Sequence, residues 1–414
     1  MSAEKNENAS WIDKRFPLTE TWKAHLAEYY APKNLNFWSF FGSLAILTLV
    51  IQIVTGIWLA MNYKPDAALA FASVEYIMRD VDWGWLIRYM HSTGASMFFI
   101  VIYLHMFRAL LWGSYRKPRE LLWILGVVIY LAMMATAFFG YLLPWGQMSY
   151  WGAQVIVNLF AAVPVVGDDL SVWVRGDYVI SDATLNRFFA FHFLLPFVLA
   201  ALVFIHIVAL HHVGSNNPDG IEIKDGPKGN RWSDKAPADG IPFHPYYTVK
   251  DFMGVVVFLA VFSWVMFYAP TMGGIFLEAP NFQPANPMQT PLHIAPVWYF
   301  TPYYAMLRAV PPLWGSQFPG VIVMFGAILI FFVLPWLDRS PVKSIRYKGP
   351  IFKVALAIFA VSFVVLGWLG MQPASDLSTL LSKIFTVLYF AFFLLMPIYS
   401  SLDKTKPVPE RVTA

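Results

Sequence analysis

The sequence predicts an all-α integral membrane protein with eight transmembrane helices. Its composition is the first reason: 58% of the 414 residues are hydrophobic and 13% are charged, whereas charged residues make up about 25% of an ordinary soluble domain. Its pattern is the second: eight apolar runs, each close to the ~20 residues that cross the hydrocarbon layer as a helix, lie between charged or Pro/Gly-rich breaks. A chain of this kind requires lipid as its solvent.

Each predicted span is an apolar run, and the charges between the runs indicate the orientation. Of the 29 lysines and arginines, 22 fall in the N-terminal arm, the even-numbered connections and the C-terminal tail. Because loops retained in the cytoplasm are enriched in positive charge, we expect both termini on the cytoplasmic side. The net charge of +4 then reflects topology and does not indicate a nucleic-acid partner. The spans are predicted near 37–61, 89–107, 121–141, 188–210, 252–269, 318–337, 354–371 and 384–401.

The connections divide the chain into an arm, two groups of helices, a loop and a tail. The N-terminal arm is polar and lacks the pattern of a cleaved signal peptide. Two opposite-side connections, Pro144 to Arg187 and Pro270 to Pro319, are too long for turns and are expected to contain short surface helices. The polar segment after the fourth span is predicted to be a solvated loop. The predicted boundaries are 1–36 for the arm, 37–212 for a four-helix bundle, 213–249 for the cytoplasmic loop, 250–402 for helices five to eight with the loop 270–319, and 403–414 for the tail.

The chain contains no cysteine. This excludes disulfides, iron–sulfur clusters, thiolate haem ligands and covalent attachment of a c-type haem. A metal in this protein would have to bind histidine nitrogen or oxygen.

Four of the nine histidines, His91, His105, His192 and His206, fall within two predicted spans, two in each. Within each span the histidines are 14 residues apart, which is nearly four turns and ~21 Å of rise, so they share one face at two depths. The second and fourth spans run in the same direction, so His91 can face His192 and His105 can face His206. Facing imidazoles at two depths match axial ligation of two haems. Zinc is disfavoured, because each depth offers two ligands and a structural zinc site needs four. An isolated membrane histidine is alternatively a hydrogen-bonded core residue.

Glycines repeat the histidine spacing on the neighbouring spans. Gly42 and Gly56 lie in the first span, and Gly126 and Gly140 lie in the third. A flat porphyrin requires bare backbone beside it, which glycine provides. The alternative is ordinary close packing of membrane helices.

Two arginines bracket the histidines of the second span. Arg88 precedes His91 by three residues and Arg108 follows His105 by three. We expect them to pair with haem propionates near the two membrane boundaries. The alternative is that they are simple interfacial anchors.

Several motifs make the chain resemble one family over essentially its whole length. The motifs are RYMHSTGASMFF, GYLLPWGQMSYWG, FFAFHFLLPF, HHVGSNNP, FHPYYTVKD and PVWYF. The chain resembles cytochrome b, the core subunit of the quinol:cytochrome c oxidoreductase (complex III), of the bacterial type. In the plastid relative the corresponding protein is split into two chains, whereas here one chain carries all eight predicted spans.

The resemblance assigns the metal ligands. It implies two non-covalent haem b groups, a low-potential haem on the positive side held by His91 and His192, and a high-potential haem on the negative side held by His105 and His206. Arg88 and Arg108 match the propionate partners of the family.

The resemblance also implies two quinone sites. Quinol oxidation is expected on the positive side, where Tyr304 matches a residue that touches the iron–sulfur partner. Without the resemblance, the aromatic and proline-rich loops on the positive side would be interpreted as segments that cap the helix bundle. Quinone reduction is expected on the negative side, where a His/Asp pair could supply protons. The implied residues are Phe138, Tyr141, Gly152, Pro296, Val297 and Tyr299 for oxidation, and His211, Ser215, Lys250 and Asp251 for reduction.

The chain departs from the family at position 297. The family usually has glutamate there, often proposed to accept a quinol proton, and valine cannot take a proton. Either the role passes to Tyr141, His293 or ordered water near Arg88, or that glutamate is not needed in the way supposed. Glu278 is a weaker candidate, because nothing in the sequence places its side chain in the pocket.

The implied activity is oxidation of ubiquinol at the periplasmic side of a bacterial inner membrane. One electron would go to a Rieske iron–sulfur protein, and the other would pass through the low- and then the high-potential haem b to reduce quinone, coupled to proton translocation. The implied partners are the Rieske protein, cytochrome c1, membrane lipid and a second copy of the complex. Two alternatives are a two-haem transmembrane reductase without quinone and a polytopic transporter with structural histidines.

Overall fold

The computed structural model describes residues 10–223, 237–313 and 315–413, and these residues are mostly helical. Two three-residue strands, β1 (Tyr30–Pro32) and β2 (Gly240–Pro242), pair antiparallel and join the N-terminal arm to the segment before the fifth predicted span. The described α-helices are α1 (Leu18–Trp22), α2 (Phe40–Ala60), α3 (Ala70–Arg79), α4 (Gly84–Trp112), α5 (Glu120–Leu142), α6 (Gln147–Ala161), α7 (Gly167–Arg175), α8 (Asp182–Val213), α9 (Phe243–Tyr268), α10 (Thr301–Ala309), α11 (Phe318–Leu329), α12 (Leu334–Leu337), α13 (Pro350–Met371), α14 (Asp376–Leu394) and α15 (Met396–Leu402).

Seven of the described helices are long and apolar enough to cross a membrane, and they coincide with seven of the predicted spans. The sixth predicted span is broken into α11, a 3-10 turn at Ile330–Phe332 and α12. Pro335 lies in the first turn of α12, where it has no backbone N–H to donate to the preceding turn. The segment is therefore not one long helix, and the count of eight spans stays a prediction. The seven helices are α2, α4, α5, α8, α9, α13 and α14.

The first four long helices form the bundle that carries the histidines. Helix α2 packs along α4, α5 packs along α8, and α2 also touches α8. Helix α9 closes one side by packing against both α2 and α4. Helix α8 exposes large apolar side chains such as Phe204, Ile205 and Val208, which is expected of a helix in lipid.

The second group of helices surrounds α10. The long connection that contains α10 was expected to carry surface helices, and for α10 this expectation is wrong. Most of its residues are buried, because α11, α13 and α14 pack around it. The other long connection contains α6 and α7, which pack against each other.

The segment predicted to be a solvated cytoplasmic loop, 213–249, is less exposed than predicted. Asn216, Asn217, Asp219 and Asp239 are all buried. Asp219 accepts hydrogen bonds from three groups of the C-terminal half, namely the Arg346 guanidinium, the Tyr347 hydroxyl and the Thr413 backbone amide. Contacts with the C-terminal half therefore shield these polar residues of the predicted loop from solvent. Residues 224–236 of that prediction lie outside the described residues.

Candidate functional site

His91 on α4 and His192 on α8 face each other inside the bundle. Their ring centroids are 6.0 Å apart and their planes are nearly perpendicular, at 85°. Two imidazole nitrogens each about 2 Å from a shared metal, with the ring radii added, give a centroid separation of about 6 Å. The two rings are therefore spaced so that both could bind one metal ion.

The Nδ1 atoms of these two rings are engaged on the side away from each other. The Nδ1 atom of His91 lies 3.0 Å from the Thr55 hydroxyl group, and that of His192 lies 2.8 Å from the Thr136 carbonyl oxygen. Hydrogen bonds of this kind fix ring orientation and leave Nε2 as the available ligand atom.

His105 and His206 form a second level. They are close enough to interact electrostatically. The Nδ1 atom of His105 lies 3.3 Å from the Arg108 guanidinium group, whose centre is also 5.0 Å from the Trp112 ring centroid. Among the described residues, Nε of Arg108 and Nδ1 of His206 are buried without a hydrogen-bond partner. Arg108 therefore has donor capacity left for an anionic group.

Each of the four spaced glycines faces a different one of the four histidines. A Cβ atom at Gly56 would lie 3.0 Å from Cε1 of its histidine, and one at Gly42 or Gly126 would lie 3.4 Å away. At Gly140 the Cβ atom would overlap the imidazole ring. Only glycine leaves the backbone bare enough for the rings at that position. The pairs are Gly42 with His105, Gly56 with His91, Gly126 with His206 and Gly140 with His192.

A cavity of about 220 Å³ opens beside the first histidine pair. Arg88 lines it together with both histidines, and so do three predicted quinol-site residues, Tyr141, Val297 and Tyr299. Tyr299 stacks on Phe99 with ring centroids 3.8 Å apart. The structure thus brings part of the predicted quinol site against the His91–His192 level.

Four other predicted quinol-site residues line a second cavity of about 760 Å³. Phe138, Gly152, Pro296 and Tyr304 all border it. A Cβ atom at Gly152 would lie 3.4 Å from the Tyr141 ring, so Gly152 stands close to the wall between the two cavities. The predicted site is divided between two spaces.

Two predicted residues of this region contact other groups. The Nε2 atom of His293 lies 3.0 Å from the Met371 carbonyl oxygen at the end of α13. The Tyr304 ring lies beside Arg308, whose guanidinium carbon is 4.8 Å from the ring centroid. His293 is therefore directed towards α13.

Glu278, ranked low on sequence grounds, contacts the site directly. The Tyr141 hydroxyl group donates a hydrogen bond of 3.1 Å to Oε2 of Glu278. Glu278 lies in the loop before α10, outside the membrane-spanning helices, and burial raises its pKa to about 7. A carboxyl group therefore contacts Tyr141 at the wall of the 220 Å³ cavity, although it lies outside the PVWY motif.

The residues predicted for quinone reduction lie around the N-terminal arm. Tyr29 packs against His211, with ring centroids 4.7 Å apart, and its hydroxyl group is 3.1 Å from the Ser215 hydroxyl. Tyr29 lies outside the sequence motifs that carry the family resemblance. On α9, Asp251 is a neighbour of the Ser43 hydroxyl, and the Lys250 ammonium lies 5.1 Å from the Tyr247 ring centroid.

Comparison with known proteins covers nearly the whole chain. Two family profiles match, Cytochrome b/b6/petB over residues 26–214 and Cytochrome b(C-terminal)/b6/petD over residues 284–390. Cytochrome b of Allochromatium vinosum is 89% identical over 414 residues, which is 100% of both chains. The chain belongs to the cytochrome b family.

Two further similarities extend this result. Cytochrome b of Rhodospirillum rubrum is 51% identical over 410 residues, 99% of this chain and 96% of that protein. A chain of the solved structure titled "Hyperthermophilic respiratory Complex III" has a TM-score of 0.86 and 41% identity, with 95% of this chain and 98% of that chain covered. The protein is an integral membrane electron carrier of the cytochrome b type, and this family replaces the reductase and transporter alternatives.

Cytochrome b proteins bind haem b, and the residues of this chain fit that group. Two imidazole pairs lie at two levels, bare backbone faces each ring, and a cation lies near each end of α4. Neutral imidazole and arginine are the donors that haem iron and propionates require.

Proposed function

We propose that this cytochrome b holds two haem b groups and is the quinol-oxidising and quinone-reducing subunit of a proton-translocating complex. The observation that carries the proposal is the pairing of four histidines with four different glycines at two levels of one bundle. When bound, the haems supply one-electron transfer between the two sides of the membrane.

The four histidines would hold the two haem irons. His91 and His192 would hold the low-potential haem on the positive side, and His105 and His206 the high-potential haem on the negative side. The Thr55 hydroxyl and the Thr136 carbonyl orient the first pair through Nδ1. Arg88 and Arg108 are the proposed propionate partners.

Quinol oxidation is proposed at the part of this cavity lined by Tyr141, Val297 and Tyr299, next to the part between His91 and His192 that a haem would fill. Its apolar walls suit a hydrophobic substrate, while Tyr141 supplies a hydroxyl group near the substrate space. Tyr299 is held in place by its stacking on Phe99. Tyr304 on α10 is proposed to contact the Rieske iron–sulfur partner. His293 is not given a proton-accepting role, since its ring is directed towards Met371.

Quinone reduction is proposed near the cytoplasmic end of α8. His211 and Asp251 would deliver protons to the reduced quinone, because imidazole and carboxyl groups near a boundary exchange protons readily with water. Ser215 and Tyr29 hold each other by hydrogen bonding and would shape this site. Lys250 is exposed near it and would favour an anionic reduced quinone.

We further propose ubiquinone as the substrate, Rieske protein and cytochrome c1 as partners, and a homodimeric complex in the bacterial inner membrane with both termini cytoplasmic. The similarity to a complex III chain supports the partners. The lysine and arginine distribution supports the orientation.

The proposal is tested by removing one ligand at a time. His192→Leu should remove the haem of the positive-side level and His206→Leu that of the negative-side level, each seen as loss of one component in a redox titration of the reduced-minus-oxidised spectrum. His244→Leu is the control, because this ring packs against Trp22, and it should keep both components. Retention of both haems in either ligand variant would contradict the proposal.

A further inference from the structure

We propose that Glu278 accepts the quinol proton through the Tyr141 hydroxyl group, in place of a carboxylate at position 297. This inference rests on the proposed quinol oxidation site and assigns its missing proton acceptor.

Geometry provides the first support. Tyr141 lines the 220 Å³ cavity together with Val297, and its hydroxyl group already donates to Glu278 at 3.1 Å. Val297 is only 3% exposed and has no acceptor atom in its side chain. Within the described part of the chain, Tyr141 and Glu278 are the hydrogen-bonded tyrosine–carboxylate pair at this cavity.

The loop that carries Glu278 is tied to the start of α6. The backbone amide of Ser149 donates to the Asn281 side chain at 2.8 Å, that of Gln147 donates to the Gln283 carbonyl at 2.9 Å, and that of Ala285 donates to the Trp145 carbonyl at 3.0 Å. Three bonds across one short stretch limit how far the loop can move. Hydrogen bonds made by neighbouring loop residues therefore help to keep Glu278 next to Tyr141.

A proton on Glu278 can reach water on the positive side. Glu278 as a residue is half-buried, and its loop neighbours Ile275 and Ala279 are exposed. The loop follows α9 on the side opposite the proposed cytoplasmic termini. Glu278 thus connects an enclosed tyrosine to the aqueous phase.

The surroundings of Glu278 suit a group that exchanges protons near neutral pH. Burial raises its pKa to about 7, and the smaller effect of the Tyr141 hydrogen bond lowers it. The carboxylate form, which can accept a proton, therefore predominates above pH 7, and we expect quinol oxidation to accelerate as pH rises through this value. The other titratable groups that line the cavity are Tyr63 and Arg88, His91 and His192 on its haem side, and Tyr299.

The step transfers one proton. The quinol O–H bond breaks and its proton passes to the Tyr141 oxygen, while the tyrosine proton forms a new O–H bond on Oε2 of Glu278. Tyr141 ends unchanged and the carboxylate becomes a carboxylic acid. Glu278 then releases this proton to water, and the second quinol proton follows the same route. The two electrons that leave the quinol would be taken up by the acceptors already proposed, the Rieske cluster and the low-potential haem.

The test measures pre-steady-state haem reduction by ubiquinol in the assembled membrane complex, with the negative-side site blocked and pH varied across 7. Glu278→Gln should slow the reaction on the order of 100-fold and abolish the rise with pH. Tyr141→Phe should slow it and move the inflection to higher pH, because the hydrogen bond that favours the carboxylate is lost. Val297→Glu combined with Glu278→Gln should restore about tenfold or more of the rate.

Two further variants serve as a surface control and as a conservative replacement of Glu278. Glu75→Gln makes the same substitution on the same side, at a carboxylate that pairs with Arg79 on the surface of α3, and should leave rate and pH profile unchanged. Glu278→Asp keeps a carboxylate and should keep the inflection even if Glu278→Gln does not assemble. A Glu278→Gln complex with native rate and pH profile, or an Asp variant without the inflection, would overturn this assignment alone. Absence of quinol-dependent haem reduction in the native complex would overturn the proposed function, and this assignment with it.

Discussion

At the scale of single residues, the four glycines are not equivalent. A Cβ atom at Gly140 would lie 2.5 Å from Nδ1 of His192 and closer still to the next ring carbon, whereas one at Gly126 would lie 3.4 Å from its histidine. The second distance is close to ordinary van der Waals contact and the first is a hard overlap. The shared spacing in the sequence predicts the four glycine positions, but it does not predict how closely a Cβ atom at each would approach its histidine.

We therefore expect a graded loss of haem among alanine variants. Gly140→Ala should displace the His192 ring and lose the positive-side haem, while Gly126→Ala should retain the negative-side haem with a shifted potential. Potentiometric titration of both haems measures the difference.

The control for this series is Gly326→Ala. Gly326 lies in another apolar helix, where an added Cβ atom would meet only Phe390, at 4.0 Å. Its spectrum and potentials should be native. Equal haem loss in all three variants would show that glycine acts through general helix packing.

At the scale of elements, the start of α6 organises the loop before α10. The bridge between Gly146 and Pro284 and the Ser149–Asn281 hydrogen bond join segments more than 130 residues apart. No side chain larger than hydrogen fits at Gly146, because the Asn281 carbonyl oxygen occupies the space. This docking places Glu278 beside Tyr141.

Asn281→Ala should weaken that docking. It removes the acceptor for the Ser149 backbone amide, which costs about 1 kcal/mol of local stability, and it should loosen Glu278 enough to slow quinol oxidation several-fold while both haems remain. The measurement is the haem reduction rate together with protease sensitivity of the loop.

Asn286→Ala is the matched control for the loop. Its side chain accepts from the backbone amide of Met288 in the same turn, while its own backbone amide keeps the bond to Gln147. We expect a native rate from this variant. A rate as low as that of Asn281→Ala would show that loop stiffness in general, and not the α6 contact, determines the rate.

At the scale of the whole molecule, a polar network among the connections predicted to be cytoplasmic joins the two halves of the chain. The buried Arg119 binds both carboxylate oxygens of Glu222, and Lys343 binds the same carboxylate. Buried Asp338 pairs with buried Lys348 and accepts from Tyr115. Such pairs stabilise a fold only while both partners are charged and present.

This network predicts acid sensitivity. Burial acts to raise the pKa of Glu222, but the hydrogen bonds and charge of Arg119 and the charge of Lys343 outweigh it and lower the pKa to about 2. The carboxylate therefore contributes its full stabilisation above the ordinary value of 4.5 and loses it as pH falls through about 2. Glu222→Gln should cost about 2 kcal/mol at neutral pH, and the difference from native should vanish towards pH 2.

Thermal unfolding of the solubilised protein as a function of pH measures this effect. Glu410→Gln is the control, because it changes an exposed carboxylate in the C-terminal tail and should follow the native curve. A Glu222→Gln curve parallel to the native one at every pH would refute the linkage.

The spans, the histidine pairs and the glycine spacing could be predicted because they are local patterns. Two residues 14 positions apart lie on the same face of any α-helix, and the length of an apolar run shows whether it can cross a membrane. Neither inference requires knowledge of the rest of the fold. Position 297 could also be recognised as unusual, since the motif around it is contiguous.

Other features depend on contacts between residues far apart in the chain. Glu278 and Tyr141 are 137 residues apart, and no local pattern indicates that the loop docks on α6 and carries one to the other. The burial of α10 and of the polar network around Glu222 and Asp338 likewise requires neighbours from other segments, because burial is a property of the assembled surface and not of a residue's own sequence.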